Sequence, residues 1–148
     1  LQEVMRAGVG RIHRQILKPT GTTELMGDTA AARGKMVRYE STQKSLGYWR
    51  SKDDYVEWDV EVAKPGSYEV RALVACMEGD HGGNYEIRIG QDPSVLGGKI
   101  QSTGSWTVYK EQPVGTVTLQ PGLQRISVHN RKDVGPLMKL RSLRLVAK

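Results

Sequence analysis

Carboxylates, histidines and a set of aromatic rings placed at turns are the residues here with types and spacing that could do chemistry. Glycoside hydrolysis uses two carboxylates flanking the scissile bond. The adjacent pair Asp53-Asp54 reads as part of a turn, where aspartate is ordinary, whereas Glu57, Asp59 and Glu61 follow one face of a single strand at steps of about 7 Å. A like-charged row of that kind reads as a solvated strand face, not as an acid–base pair. His13, His81 and His129 lie far apart, and none has a second ligand at metal spacing. Ser105, in TGSW, lacks the strand–turn–helix setting of a nucleophile elbow. Gly8-Val9-Gly10 is too small a fragment to cradle a phosphate. Cys76 stands alone after RALVA and reads as a buried thiol acting as a small hydrophobe, so neither a disulfide framework nor a thiolate metal site is expected. With no nucleophile, metal cluster or cofactor loop, the chain is not expected to be an enzyme on its own.

The aromatic rings point elsewhere. A sugar ring presents axial C–H bonds that pack on an aromatic face, while its hydroxyls need paired donors and acceptors. Sugar sites therefore combine exposed Trp or Tyr with Asn, Asp, Arg or Lys. Trp106 follows Thr103-Gly104-Ser105, a loop entering a strand, and is the best exposed candidate. Tyr48 and Trp49 are neighbours on what reads as an extended segment, so their rings should face opposite ways, with Tyr48 the available one. Trp58 is in phase with Val56 and Val60 and belongs to the core. Tyr68 and Tyr85 read as core or sheet-edge residues, and Tyr55 and Tyr109 stay undecided.

These side chains must be positioned by strands. YVEWDVEV (55–62) alternates cleanly, with Val56, Trp58, Val60 and Val62 on one face. SYEVRALVA (67–75) gathers Tyr68, Val70, Ala72 and Val74, and NYEIRIG (84–90) gathers Tyr85, Ile87 and Ile89. KMVRYE (35–40), GYW (47–49), a short strand starting at Lys99 and Ile100, VGTVTLQ (114–120), LQRISVHN (123–130) and LMKLRSLRLVA (137–147) complete the set. In LQRISVHN, Leu123 or its neighbour joins Ile126 and Val128 inside; in the last segment Leu143 and Leu145 alternate with Arg141 and Arg144. Lys64-Pro65-Gly66 and Pro121-Gly122 are tight turns. Eight or nine strands spaced about ten residues apart, with no long amphipathic helix, predict an all-β protein: a β-sandwich or jelly roll.

At 148 residues the chain is long enough for one domain with a single core. Residues 1–15 show weak helical spacing (Val4, Val9, Ile12, Ile16) and many basic residues, and read as an N-terminal extension or linker before a domain over 16–148. The chain does not begin with Met and opens on no apolar signal segment, as in an excised piece whose targeting signal lies outside it. The net charge of +6 favours acidic partners without naming them. The charges are dispersed as EVR, EIR and KLR, so nucleic acid is not the expected partner. No apolar run approaches the roughly 20 residues that span a bilayer, so no membrane partner is expected either.

The ordered set LGYW, DDYVEWDVEV, PGSYEVRALVA, GGNYEIRIG, STGSWTVY, VTLQPGLQRISVHN and LRSLRL, from Leu46 to Val146, resembles the family 6 carbohydrate-binding modules and their relatives. Those are accessory domains of secreted glycosidases and sulfatases. The resemblance implies a jelly-roll sandwich with a sugar site at its loop end, where Tyr48 matches one stacking aromatic and Trp106 the other. The family's sugar-binding Asn near the last strand is replaced by the stretch Met138-Lys139-Leu140-Arg141. Lys139 or Arg141 would suit an anionic sugar there, with further polar help from Asn130. A structural calcium ion is often present in the family, and Glu24, in Thr23-Glu24-Leu25, is the nearest match to its ligands. The implied function is that of a secreted or periplasmic, non-catalytic carbohydrate-binding module. It would hold a catalytic domain of the same parent chain on its polysaccharide or oligosaccharide and so raise local substrate concentration. The alternative is a structural or protein-interaction sandwich packed on a neighbouring domain, without sugar binding.

Overall fold

The computed structural model describes residues 14–90 and 95–148; the weakly periodic stretch 1–13, His13 included, lies outside the described residues. Twelve strands follow in order: β1 (Arg14–Ile16), β2 (Thr22–Met26), β3 (Ala31–Arg33), β4 (Arg38–Glu40), β5 (Ser45–Gly47), β6 (Tyr55–Val62), β7 (Gly66–Ala75), β8 (Asn84–Ile89), β9 (Val95–Lys99), β10 (Lys110–Leu119), β11 (Gly122–Asn130) and β12 (Lys139–Ala147). Apart from one 3-10 turn at Gly27–Thr29, no helix occurs among the described residues, and so none that could cross a membrane. One sheet runs β1-β6-β11-β8-β9 with β3 also on β6; the other runs β10-β7-β12-β5-β4 with β2 also on β12. The architecture is the expected all-β sandwich of jelly-roll type.

Alternation explains the core. Val56, Trp58, Val60 and Val62 of β6 face Tyr68, Val70, Ala72 and Val74 of β7, and all eight are buried. Tyr85, Ile87 and Ile89 from β8, Ile126 and Val128 from β11, and Leu140, Leu143 and Leu145 from β12 complete the packed layer. Trp58 is fully buried and donates its indole N–H to the Met26 carbonyl at 2.8 Å. Truncating a ring so enclosed costs about 3–5 kcal/mol.

Several expectations change. β1, β2 and β3 carried no clear alternation in sequence, being three to five residues long, and they raise the count from eight or nine to twelve. β1 takes in Arg14 and Gln15, read above as part of the extension, because both pair in parallel with Asp59 and Val60 of β6. The strand near Lys99 ends there instead of starting, since β9 pairs Gly97 with Glu86 and Gly98 with Tyr85. Gly97 is required, because a Cβ would collide with the Tyr85 carbonyl oxygen. Leu123 is exposed, leaving Ile126 and Val128 as the buried residues of β11. Glu57 and Asp59 are buried, not solvated: Arg33 Nε lies 2.8 Å from Glu57 and Arg125 Nε 2.9 Å from Asp59, so two guanidinium groups roof over the carboxylates.

Candidate functional site

β7 ends, β12 begins and β5 ends at one tip of the sandwich, where Lys139 pairs with Ala75 and Leu140 with Leu46. The loops leaving this tip enclose a cleft of about 260 Å³ lined by Glu40, Tyr48, Arg50, Asp80, Trp106, Pro136, Met138 and Lys139. Tyr48, Trp106 and Lys139, three of the residues singled out in sequence, meet there.

Tyr48 follows β5 with φ of +57°, in the left-handed region that a non-glycine residue enters only at a cost of about 1–3 kcal/mol. The segment is therefore not extended, although the outcome expected from an extended one holds. Tyr48 is 46% exposed, and Trp49 is fully buried with its indole N–H donated to the Asp54 carbonyl at 3.0 Å. Arg38 of β4 does not line the cleft; its guanidinium carbon stands 3.8 Å from the Tyr48 ring centroid and backs that ring by a cation–π contact.

Trp106 is carried by the TGSW turn. Thr103 N–H donates to the Cys76 carbonyl at 2.9 Å, and Cys76 N–H donates back to Thr103 Oγ1 at 3.1 Å, which bolts the turn to the end of β7. Gly104 supplies the positive φ of +93° that the turn demands. Trp106 then packs against the core on one side while remaining partly exposed in the cleft. Cys76 is fully buried, as expected, and that burial raises its thiol pKa.

Charge in the cleft is balanced, with Glu40 and Asp80 against Arg50 and Lys139. Lys139 Nζ stands 3.9 Å from Glu40 Oε1, and that oxygen is buried with no hydrogen-bond partner among the described residues. A carboxylate oxygen removed from water without a hydrogen bond is expensive, and the Lys139 charge beside it offsets part of that cost. Glu40, Arg50 and Asp80 were not singled out in sequence. Arg50 is two residues from Tyr48 in the chain, whereas Glu40 on its three-residue strand and Asp80 in its loop are brought beside Tyr48 only by the fold.

Three other expected site residues lie elsewhere. Asn130 is fully buried with both ends of its amide engaged inside the protein: Nδ2 donates to the Ser51 carbonyl at 3.1 Å, and Oδ1 accepts from the Lys132 N–H at 2.8 Å. Arg141 falls where β12 bulges against β7, between Leu140 and Ser142. That bulge turns its guanidinium onto the Gln43 carbonyl, at 3.0–3.1 Å, and over the Tyr109 ring at 3.7 Å. Tyr109 in turn donates its hydroxyl to Ser45 at 2.9 Å. Glu24 accepts from the Ser142 hydroxyl at 2.7 Å and from Arg144 Nε at 3.0 Å. Those donors, the Ser142 hydroxyl first, hold its carboxyl below the usual range. No group of three or more His, Cys, Asp or Glu residues able to hold a metal occurs among the described residues. A carboxylate committed to a guanidinium does not fit a calcium ligand, which needs free oxygens gathered around the ion.

No protein-family model and no curated protein matches the chain. Solved structures do. A family 35 carbohydrate-binding module from Clostridium thermocellum gives a TM-score of 0.69 at 18% identity, covering 87% of this chain and 100% of that one. The carbohydrate-binding module of Cellvibrio mixtus lichenase 5A, solved with cellotriose, gives 0.66 at 17% identity over 85% of this chain and 97% of its own. A Podospora anserina β-(1,4)-mannanase carrying a family 35 module gives 0.70 at 14% identity over 86% of this chain, which spans only 28% of the mannanase. The fold is thus the one seen in carbohydrate-binding modules of families 6 and 35.

Proposed function

We propose that this chain is a non-catalytic carbohydrate-binding module whose ligand lies in the cleft between Tyr48 and Trp106. The observation that carries the reading is the meeting of two partly bare rings, Tyr48 and Trp106, with the charged side chains of Glu40, Arg50, Asp80 and Lys139 in one cleft. The rings offer apolar faces to sugar C–H bonds, and the carboxylates of Glu40 and Asp80 on the cleft wall offer acceptors to sugar hydroxyls. The volume is just below the range of about 300–1,000 Å³ usual for small-molecule sites, so the cleft takes a short stretch of glycan.

The ligand class is an oligosaccharide or polysaccharide carrying an acidic group. Arg50 and Lys139 border the cleft, and Lys139 lies in the stretch 138–141 that stands in place of the resembling family's asparagine. A carboxylate or sulfate would meet these cations while hydroxyls meet Glu40 and Asp80. Tethered to a catalytic domain acting outside the cell, where polysaccharides too large to cross a membrane are met, the module would raise that domain's local substrate concentration.

Calorimetric titration with neutral and uronate-bearing oligosaccharides of two to four units tests the reading. Trp106→Ala should cost about 1–3 kcal/mol of binding, by analogy with aromatic stacking on nucleic acid bases, with the melting transition largely retained. Unchanged affinity in Trp106→Ala, or no binding of any glycan by the wild type, would overturn it.

A further inference from the structure

The geometry points to Asn130 and Lys132 as a bracket that sets the spacing of the cleft's walls, making them positioning residues for the ligand; this rests on the glycan reading above. Asn130 ends β11 and is fully buried, with both ends of its amide engaged. Its Nδ2 donates to the carbonyl of Ser51, next to the cleft residue Arg50, and its Oδ1 takes the N–H of Lys132.

Lys132 carries the connection onward. Its Nζ donates to the Asp80 carbonyl at 2.5 Å and to the Pro136 carbonyl at 2.9 Å. Both residues line the cleft, Asp80 on the loop after β7 and Pro136 on the loop before β12. The lysine stem packs on Gly83, where an added Cβ would come within 2.8 Å of Lys132 Cδ. One amide and one ammonium therefore tie together three segments of the cleft wall.

Loops lacking a sheet's hydrogen-bond ladder open locally at low free energy. Two rings grip a sugar only when their spacing is held, since a site about 1 Å too loose forfeits its contacts. The ammonium suits this task because three donors on one atom can engage two carbonyls at once. Asn130 suits it because its amide donates at one end and accepts at the other.

Hydrogen exchange by mass spectrometry together with glycan titration tests the bracket. Lys132→Met keeps the stem on Gly83 and removes the donors. It should speed exchange about tenfold or more in residues 76–83 and 131–138, leave β6 and β11 protected, and weaken oligosaccharide binding about tenfold, as loss of a charge-assisted clamp predicts. Lys132→Arg, which restores donors, should recover most of both. Asn130→Asp keeps the acceptor and loses the donor, so exchange should also rise over residues 50–54. Unchanged exchange in Lys132→Met overturns the bracket itself. Loosened loops with undiminished affinity overturn the positioning role alone. Loosened loops in a protein whose wild type binds no glycan overturn the positioning role and the glycan reading together, the clamp surviving only as loop architecture.

Discussion

Replacing Asp54 should unmake the site from beneath. The side chain is fully buried and accepts three main-chain N–H groups: Lys35 on Oδ1 at 2.8 Å, with Met36 at 3.0 Å and Val37 at 2.8 Å on Oδ2. Its carbonyl accepts the Trp49 indole. Segment 35–37 runs directly into β4, which carries Arg38 behind Tyr48 and Glu40 into the cleft. In Asp54→Asn the amide oxygen can still serve Met36 and Val37, but the NH2 then faces the Lys35 N–H, donor against donor. One charge-assisted hydrogen bond is lost and one donor is stranded, a cost of about 2–4 kcal/mol. Asp54→Ala strands all three and should cost about 4 kcal/mol or more, much of the roughly 5–15 kcal/mol that holds a domain folded. Urea denaturation followed by fluorescence of the buried Trp49 and Trp58 reads these losses directly. An Asn variant within about 0.5 kcal/mol of wild type, the scatter of ordinary surface substitutions, would refute the assignment of Asp54 as the organiser of this segment.

Gly47→Ala tests Glu40 without touching the core. An added Cβ would collide with Glu40 Oε1, the movable end of a side chain, so the carboxylate must swing while the backbone stays put. Melting should therefore shift by no more than about 2–4 °C while glycan affinity falls several-fold in calorimetry; equal affinity would remove Glu40 from the site. On the opposite sheet, burial first and then Arg88 and Arg131 lower the His129 pKa to about 4. The unfolded chain takes up this proton near pH 6.5 and the native state only near 4, so the unfolded state binds more protons between them and stability falls as pH drops through that window. His129→Phe keeps a ring stacked on Tyr55, now 4.8 Å between centroids, and removes the titration. Its melting temperature should depend less on pH between 6.5 and 4.5 than that of the wild type, whose carboxylates titrate alike, and identical slopes would refute the linkage.

Period-two alternation is a local property, so residues a few positions apart suffice to reveal it. That is why β6, β7 and β8 and their buried faces were legible in the sequence, along with the sandwich they build. Trp106 was legible because the TGSW turn is local too, whereas Tyr48 is exposed for a reason the sequence did not show, a left-handed backbone where an extended one was expected. The rest depends on partners distant in the chain. Glu57 and Asp59 are buried only because Arg33 and Arg125 arrive from other strands to cover them. Arg141 leaves the cleft because β12 bulges against β7, a mismatch of two strands that neither shows alone. Asn130 looks like a ligand residue until the Ser51 carbonyl, 79 positions away, takes its donor. Glu40 becomes a cleft residue only when β4 pairs with β5. Strand identity and the inward face are thus written residue by residue, whereas membership of the cleft is decided by which distant hydrogen-bonding and charged groups the fold leaves free.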